Sequence, residues 1–376
     1  MKSKLWENFD SPGQALKHCL KAKGWTQEDL ALILSISTKH TNEIIKNKKS
    51  VSVEMASLLN KVFEPEARDW VLLDAIYRLQ NRTEEVIDKE NSVALKADIY
   101  KYMPVNELIR KGWLNKYKDI DELKIQLKKF WQIDLNDELD FSFLEQGVQN
   151  LAFRKSEAHK GFQSYNALIW HQKTLNHSNK LKSYPYDKKK LEELSVLIPE
   201  YSYRKNGVKL FLKELEQTGV KFVYLSHLSK TYLDGAAFMS SEGPVIGMTG
   251  RYDRVDNFWF TISHEIIHVT NHLDSSNAKS IFIDDTAKKS NRKAKIEQEA
   301  DAGAERILMS EKILNFFDEY LGYIPEDTIL EFSEDNKIHP SIVVGSLAYN
   351  DMISYSTSHR FKETIRDKIP NTYRAD

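Results

Sequence analysis

The string His264-Glu265-Ile266-Ile267-His268 lies inside FWFTISHEIIHVTNH (258–272), a segment apolar along one helical face. No other feature limits so strongly what this chain can fold into. Phe258, Phe260, Ile262, Ile266, Ile267 and Val269 predict a buried helix, and two histidines and a glutamate on a buried helix need a partner. The histidines are four residues apart, so both imidazoles lie on one face about one turn apart, a spacing that chelates one zinc ion. Glu265 lies beside them, where its carboxylate can take a proton from an attacking water and later hand it to the leaving amine. This is the HExxH logic of zinc peptidases. The plainer alternative is a histidine pair held by core hydrogen bonds without metal.

A third ligand is expected from Glu297-Gln298-Glu299-Ala300-Asp301, at the start of a second predicted helix, IEQEADAGAERILM (296–309). Glu297, Ala300, Asp301, Ala304 and Leu308 share one face, so Glu297 can reach the ion. Asp301, one turn on, can orient a ligating histidine through its free ring nitrogen. Glu299 points elsewhere and is the second choice, and an acidic cluster can also merely solvate a helix start. The small residues Ala302, Gly303 and Ala304 would let this helix approach the first closely. Arg251, Tyr252, Asp253 and Arg254, just before the metal helix, read as a salt-bridged loop more readily than as substrate contacts. His272, four residues past His268, is expected to lie beyond the cleft.

A different chemistry is written near the start of the chain. TQEDLALILSISTKHTNEIIKNKKSVSVEMASLLNKVF carries two short helix patterns joined at Ser35-Ile36-Ser37, with Thr26 and Ser37 where N-caps belong. Leu30, Ile33, Ile36 and Ile44 are the expected core, and the spacing is that of a helix-turn-helix. The second helix, Thr38 to Ile45, would then offer Lys39, His40, Thr41 and Asn42 to base edges. Gln27, Lys46, Asn47, Lys48 and Lys49 would suit phosphate contacts. Residues 11–60 hold seven lysines against four acids, a local excess of +3 in a chain whose formal charge is -1. A small bundle whose lysines only solvate its surface is the alternative.

Between these regions, WVLLDAIYRLQ (70–80), ELIRKGWL (107–114) and IDELKIQLKKFW (120–131) read as amphipathic helices. Strand patterns appear in VKFVYLSHL (220–228), AAFMSS and GPVIGMTG (236–250). A mainly α chain with an α+β part is predicted, in four regions: 1–80 helix-turn-helix bundle, 81–195 helical connector, 196–310 metal-binding domain with a small sheet, and 311–376 C-terminal helices. The lysine-rich stretch 275–295 is expected to be a loop and the tail after Pro370 to be frayed. A single cysteine, Cys19, forbids an intrachain disulfide, and MKSKLWENFD lacks the apolar core of a secretory signal, so a reducing cytoplasm is expected. No apolar run approaches the roughly 18 residues that cross a bilayer.

Two resemblances extend this reading. SPGQALKHCLKAKGWTQEDLALILSISTKHTNEIIKNKKSVSVEMASLLNKVF resembles the DNA-binding domain of HigA-type antitoxins, in the Xre/Cro repressor class. It departs from them at Asn47-Lys48-Lys49-Ser50, where the family usually has a glycine-containing turn. The resemblance implies a homodimer on a double-stranded DNA operator that represses its own toxin–antitoxin operon. DGAAFMSSEGPVIGMTGRYDRVDNFWFTISHEIIHVTNH and EQEADAGAERILM resemble the ImmA/IrrE zinc metallopeptidases, a compact gluzincin-like fold. That implies one zinc held by His264, His268 and Glu297, with Glu265 as base. The family often has a proline after its second helix, where this chain has Met309-Ser310. MPVNELIRKGWL and IHPSIVVGSLAYND also look like segments that flank this peptidase where it is fused to a HigA-like head. Together these imply a DNA-binding repressor and antitoxin whose zinc endopeptidase cleaves a regulatory protein, a cognate toxin or itself. In the alternatives the peptidase-like domain is a non-proteolytic scaffold that holds a toxin, or the chain is a general protease that its head localises on DNA.

Overall fold

The computed structural model describes residues 5–146, 164–231, 233–273, 281–283, 295–320, 324–354, 361 and 363–376. The described residues are mainly helical, with one small mixed sheet among them. Packing divides it into two compact units, Met1–Leu95 and Lys96–Asp376.

The first unit holds α1 (Leu5–Asn8), α2 (Pro12–Lys23), α3 (Gln27–Ile33), α4 (Thr38–Ile45), α5 (Val53–Val62) and α6 (Ala67–Gln80). Local capping chemistry starts most of these helices. Ser11, Thr26, Ser37 and Ser52 each accept a backbone N–H of the following turn, and Thr26 forms a reciprocal capping box with Asp29. Gly24 ends α2 in the left-handed region, at φ 69°. Leu16, Leu20, Leu30, Ile44, Leu59 and Trp70 form the core. Ile33, expected inside, is 47% exposed. The inward stripe of α3 and its end runs through Leu30, Ala31 and Leu34, and at 100° per residue Ile33 falls about a quarter-turn or more off its centre.

The boundary between the units falls inside α7 (Glu84–Tyr102). The second unit continues with α8 (Val105–Arg110), α9 (Ile120–Trp131), α10 (Ser164–Ser178), α11 (Lys188–Val196), α12 (Ile198–Tyr203) and α13 (Gly207–Gln217). Then come β1 (Lys221–Leu225), β2 (Gly235–Ser240), β3 (Gly243–Thr249), α14 (Val255–Ile267), β4 (Ile281–Ile283), α15 (Lys295–Ile307), α16 (Ser310–Phe317), α17 (Glu326–Asn336) and α18 (Pro340–Tyr349). The sheet order is β1-β3-β2-β4. β1 runs parallel to β3, and β2 is antiparallel to both β3 and β4.

The sheet is covered on both faces, which explains why β1 and β3 read as nearly continuous apolar runs. On one face Gly247 of β3 meets Trp170 and Thr174 of α10 so closely that a Cβ would collide with both. On the other, Phe222 of β1 stands edge-on to Phe258 of α14. The sheet thus sets α14 in place from below.

The tail differs from its expectation. Ile365, Ile369 and Tyr373 are buried, Arg374 bridges to Tyr224, and the Asp376 carboxylate accepts from the Ser226 backbone N–H (2.6 Å) and the Trp113 indole (3.3 Å). Its apolar residues find the open edge of β1, so the segment packs instead of fraying. The lysine-rich stretch 275–295 lies outside the described residues except for β4 and Lys295. No helix among the described residues is long and apolar enough to cross a membrane.

Candidate metal centre

α14 is buried on nearly every side, from Val255 through Trp259 and Ile262 to Ile266, and it carries His264 and Glu265 inside. The helix then widens into a π turn over His268–His272, in which the Leu273 N–H reaches back five residues to the His268 carbonyl (3.0 Å). α15 packs against α14 through small residues. Ala300 and Ala304 are fully buried, and a Cβ on Gly303 would lie 2.5 Å from Ile267 Cγ1. That close approach brings the acidic start of α15 to the histidines.

Three ligand atoms converge there: the Nε2 of His264 and the Nε2 of His268 are 2.9 Å apart, and Glu297 Oε2 is 3.4 Å from each. Donors bound about 2.0–2.1 Å from a tetrahedral ion lie roughly 3.3 Å from one another, so this triangle has the size of one face of such a site. Two imidazoles and one carboxylate are also the donor set of open catalytic zinc sites. Behind the triangle, Asp301 Oδ1 lies 3.1 Å from His264 Nδ1, the place of a carboxylate that favours the tautomer protonated on Nδ1, in which Nε2 carries the lone pair a metal takes. The residues present therefore fit a metal ion.

The electrostatics agree. Burial works against the charge of Glu297, but the His264 and His268 rings facing it bring its carboxyl down to about 2. Burial also pushes the His268 imidazole below its usual value, against the pull of Glu297. A neutral imidazole and an ionised carboxylate are the forms a metal takes.

Glu265 is wholly buried, under β2. A Cβ on Gly235 would fall 2.5 Å from Glu265 Oε1 and 2.8 Å from Thr261 Cγ2, so only glycine lets the strand pass over this carboxylate. Nothing in the HExxH pattern pointed to Gly235, although a glycine opening a strand is a sign of close backbone approach. Glu299 is not in the triangle. Its Oε2 lies 3.2 Å from His272 Nε2, and His272 Nδ1 lies 3.0 Å from His268 Nδ1. His272 is thus not among the three converging ligand groups, but its ring lies against His268 and not beyond the cleft.

The preceding loop is tied by charges. Arg254 clamps Asp256 (2.8 Å), Arg251 faces the buried Asp234 (3.6 Å), and Asp253 accepts the backbone N–H groups of Ile365 and Arg366 (2.9 and 2.8 Å).

In the first unit, Lys39, Lys46, Lys48 and Lys49 are exposed and Gln27, His40 and Asn42 half-buried. Thr41 is corrected. It is 1% exposed, on the inner face of α4 with Ile44 and Ile45, and cannot reach a base edge. Asn47 is corrected as well, from a phosphate contact to a latch. It takes the left-handed conformation (φ 56°) where glycine would be expected. Its side chain accepts from the Gly13 N–H (2.8 Å) and donates to Ser11 Oγ (3.1 Å). Compared with known protein families, curated proteins and solved structures, the chain matches none.

Proposed function

We propose that the second unit is a zinc-dependent endopeptidase and the first a helix-turn-helix DNA-binding module, in a repressor and antitoxin that is regulated by proteolysis. The observation that carries the reading is the convergence of His264, His268 and Glu297 on one point with Asp301 behind His264. In this reading the two Nε2 atoms and Glu297 Oε2 hold the ion. Zinc, when bound, supplies Lewis acidity toward a peptide carbonyl and toward water. Glu265 takes the proton of the attacking water on its carboxylate and returns it to the leaving amine, while Gly235 leaves room for that carboxylate beneath β2. Asp301 keeps the His264 proton on Nδ1 throughout.

For the first unit, the reading is supported by the capped α3–turn–α4 pair and by the exposed lysines around it. α4 would enter the major groove with Lys39, His40 and Asn42 toward base edges, and Gln27, Lys46, Lys48 and Lys49 would meet phosphates. The partners in this reading are a second copy of the chain, operator DNA, and a toxin or other regulatory protein as substrate.

The test is metal content and cleavage together. Purified wild type should carry about one zinc per chain, lost in His264→Ala, and Glu265→Gln should keep the zinc while losing cleavage of the toxin or of the chain itself. Zinc bound without cleavage in wild type points to a non-proteolytic scaffold. A chain that binds no zinc overturns the reading.

A further inference from the structure

Resting on the assignment of His264, His268 and Glu297 as ligands, we propose that His272 and Glu299 form a relay that positions His268 for the metal, with His272 as a positioning residue. The protons can be placed by elimination. His268 Nε2 faces the triangle, 2.9 Å from His264 Nε2 and 3.4 Å from Glu297, so to ligate it must carry no proton. The proton of the neutral ring then sits on Nδ1, 3.0 Å from His272 Nδ1, which must accept it. His272 is in turn protonated on Nε2, 3.2 Å from the Glu299 carboxylate. One arrangement of protons satisfies all three contacts with both rings neutral.

The two ligating histidines are thus held by different means. Asp301 fixes the His264 tautomer in one step, from a largely buried position. Glu299, whose side chain is 47% exposed, fixes His268 in two steps through a ring that is 7% exposed. The four-residue spacing sets the His272 ring 5.1 Å from the His268 ring, centre to centre, as it sets His268 4.7 Å from His264. A carboxylate at the far end of such a chain raises the basicity of the ligating nitrogen, and outer groups of this kind change metal affinity by about 10–100-fold. Lys295, itself exposed, lies 3.6 Å from the other oxygen of Glu299.

The experiment is a zinc titration of the full chain against a chromophoric chelator, with the visible spectrum of the cobalt-substituted protein as a second readout. It compares wild type, His272→Phe, His272→Asn, Glu299→Ala, and His272→Phe combined with Glu299→Ala. His272→Phe should weaken zinc about 10–100-fold and change the cobalt spectrum. His272→Asn, whose Oδ1 replaces Nδ1 as acceptor, should recover most of the loss. Glu299→Ala, at an exposed position that leaves folding intact, should weaken zinc several-fold alone and add nothing in the His272→Phe background. Wild-type affinity and spectrum in both His272→Phe and Glu299→Ala overturn the relay. An equal loss from Glu299→Ala in both backgrounds overturns it too, and makes Glu299 act independently of His272. A wild type without zinc is a different failure, that of the ligand assignment itself.

Discussion

The helix pairs α3–α4 and α14–α15 each display polar side chains from two packed helices, but they pack in opposite senses. In α3–α4 the apolar stripes face each other and Lys39 points to solvent, so the chemistry sits outside the packing. In α14–α15 the polar groups themselves lie in the interface, with Asp301, His264 and Glu265 buried where a core side chain would otherwise be. An outward-facing site tolerates loose packing beneath it. An inward-facing one requires the two helices to be held at a set separation, and here Gly303 against Ile267 sets it.

The inward-facing pair is most sensitive at Gly303. Gly303→Val places a branched side chain where even a Cβ lies 2.5 Å from Ile267 Cγ1. Overpacking of this kind costs on the order of 3 kcal/mol. In the proposed role as a zinc site, it should also lower zinc affinity sharply, since α15 would carry Glu297 and Asp301 away from the histidines. Trimming the opposite side chain, as Ile267→Ala, should recover much of both losses in the double variant. If zinc binding and the denaturant midpoint of Gly303→Val equal those of wild type, the helix separation does not control the site.

The two regions also differ in how far they could be read before folding. Caps are local chemistry, so Thr26, Ser37 and the span of α4 follow from four or five neighbouring residues. The three sheet strands of 221–249 and the shared face of Glu297 and Asp301 are likewise legible from periodicity. Thr41 was misplaced because a threonine is equally at home on either face of a helix, and only the burial of Ile44 and Ile45 decides which face is inner. The His268–His272 contact has the same four-residue spacing as the His264–His268 pair, but that spacing does not tell how far the helical path continues beyond His268 before the chain extends at Leu273. Gly235 and the packed tail depend on contacts with segments far away in the chain, Glu265 in the first case and Tyr224 in the second.

Acid should separate the units next. His171 of α10 is pushed down to about 4 by burial against the sheet, where its ring meets Phe238 edge-on. The unfolded chain takes up this proton near pH 6.5 and the folded chain does not, so the unfolded state binds more protons between the two values. Stability is therefore full above about pH 6.5 and falls as pH drops toward 4, by about 2 kcal/mol between pH 6.5 and 5 for this one group. His177, His227, His268 and His339 are also lowered chiefly by burial and act in the same direction. All five lie in the second unit. Urea midpoints measured from pH 8 to 5 should fall for that unit, with a smaller slope in His171→Phe. An unchanged slope in that variant would show that His171 is not the group responsible.

In the first unit the corresponding weak point is Asn47. Asn47→Ala removes two side-chain hydrogen bonds and puts alanine at φ 56°, for a combined cost of about 1–2 kcal/mol. Asn47→Gly relieves the backbone but not the latch, so it should fall between alanine and wild type in thermal unfolding. If alanine and glycine are equally destabilised, the side-chain bonds alone carry the effect and the left-handed turn contributes nothing.

The smallest effect is expected at Thr41, where it bears directly on which face of α4 would meet DNA in the proposed role. The Thr41 hydroxyl is buried and finds no hydrogen-bond partner among the described residues. Valine has nearly the same shape without a polar atom to desolvate, so Thr41→Val should leave stability unchanged or raise it by up to about 1 kcal/mol. In the proposed DNA-binding role it should also leave operator affinity and its salt dependence as they are. Lys39→Ala, one turn-face away, should weaken the cognate operator, and Lys48→Ala should chiefly reduce the slope of affinity against salt. A Thr41→Val variant that loses operator discrimination while keeping its melting temperature would put the reading face of α4 on the wrong side.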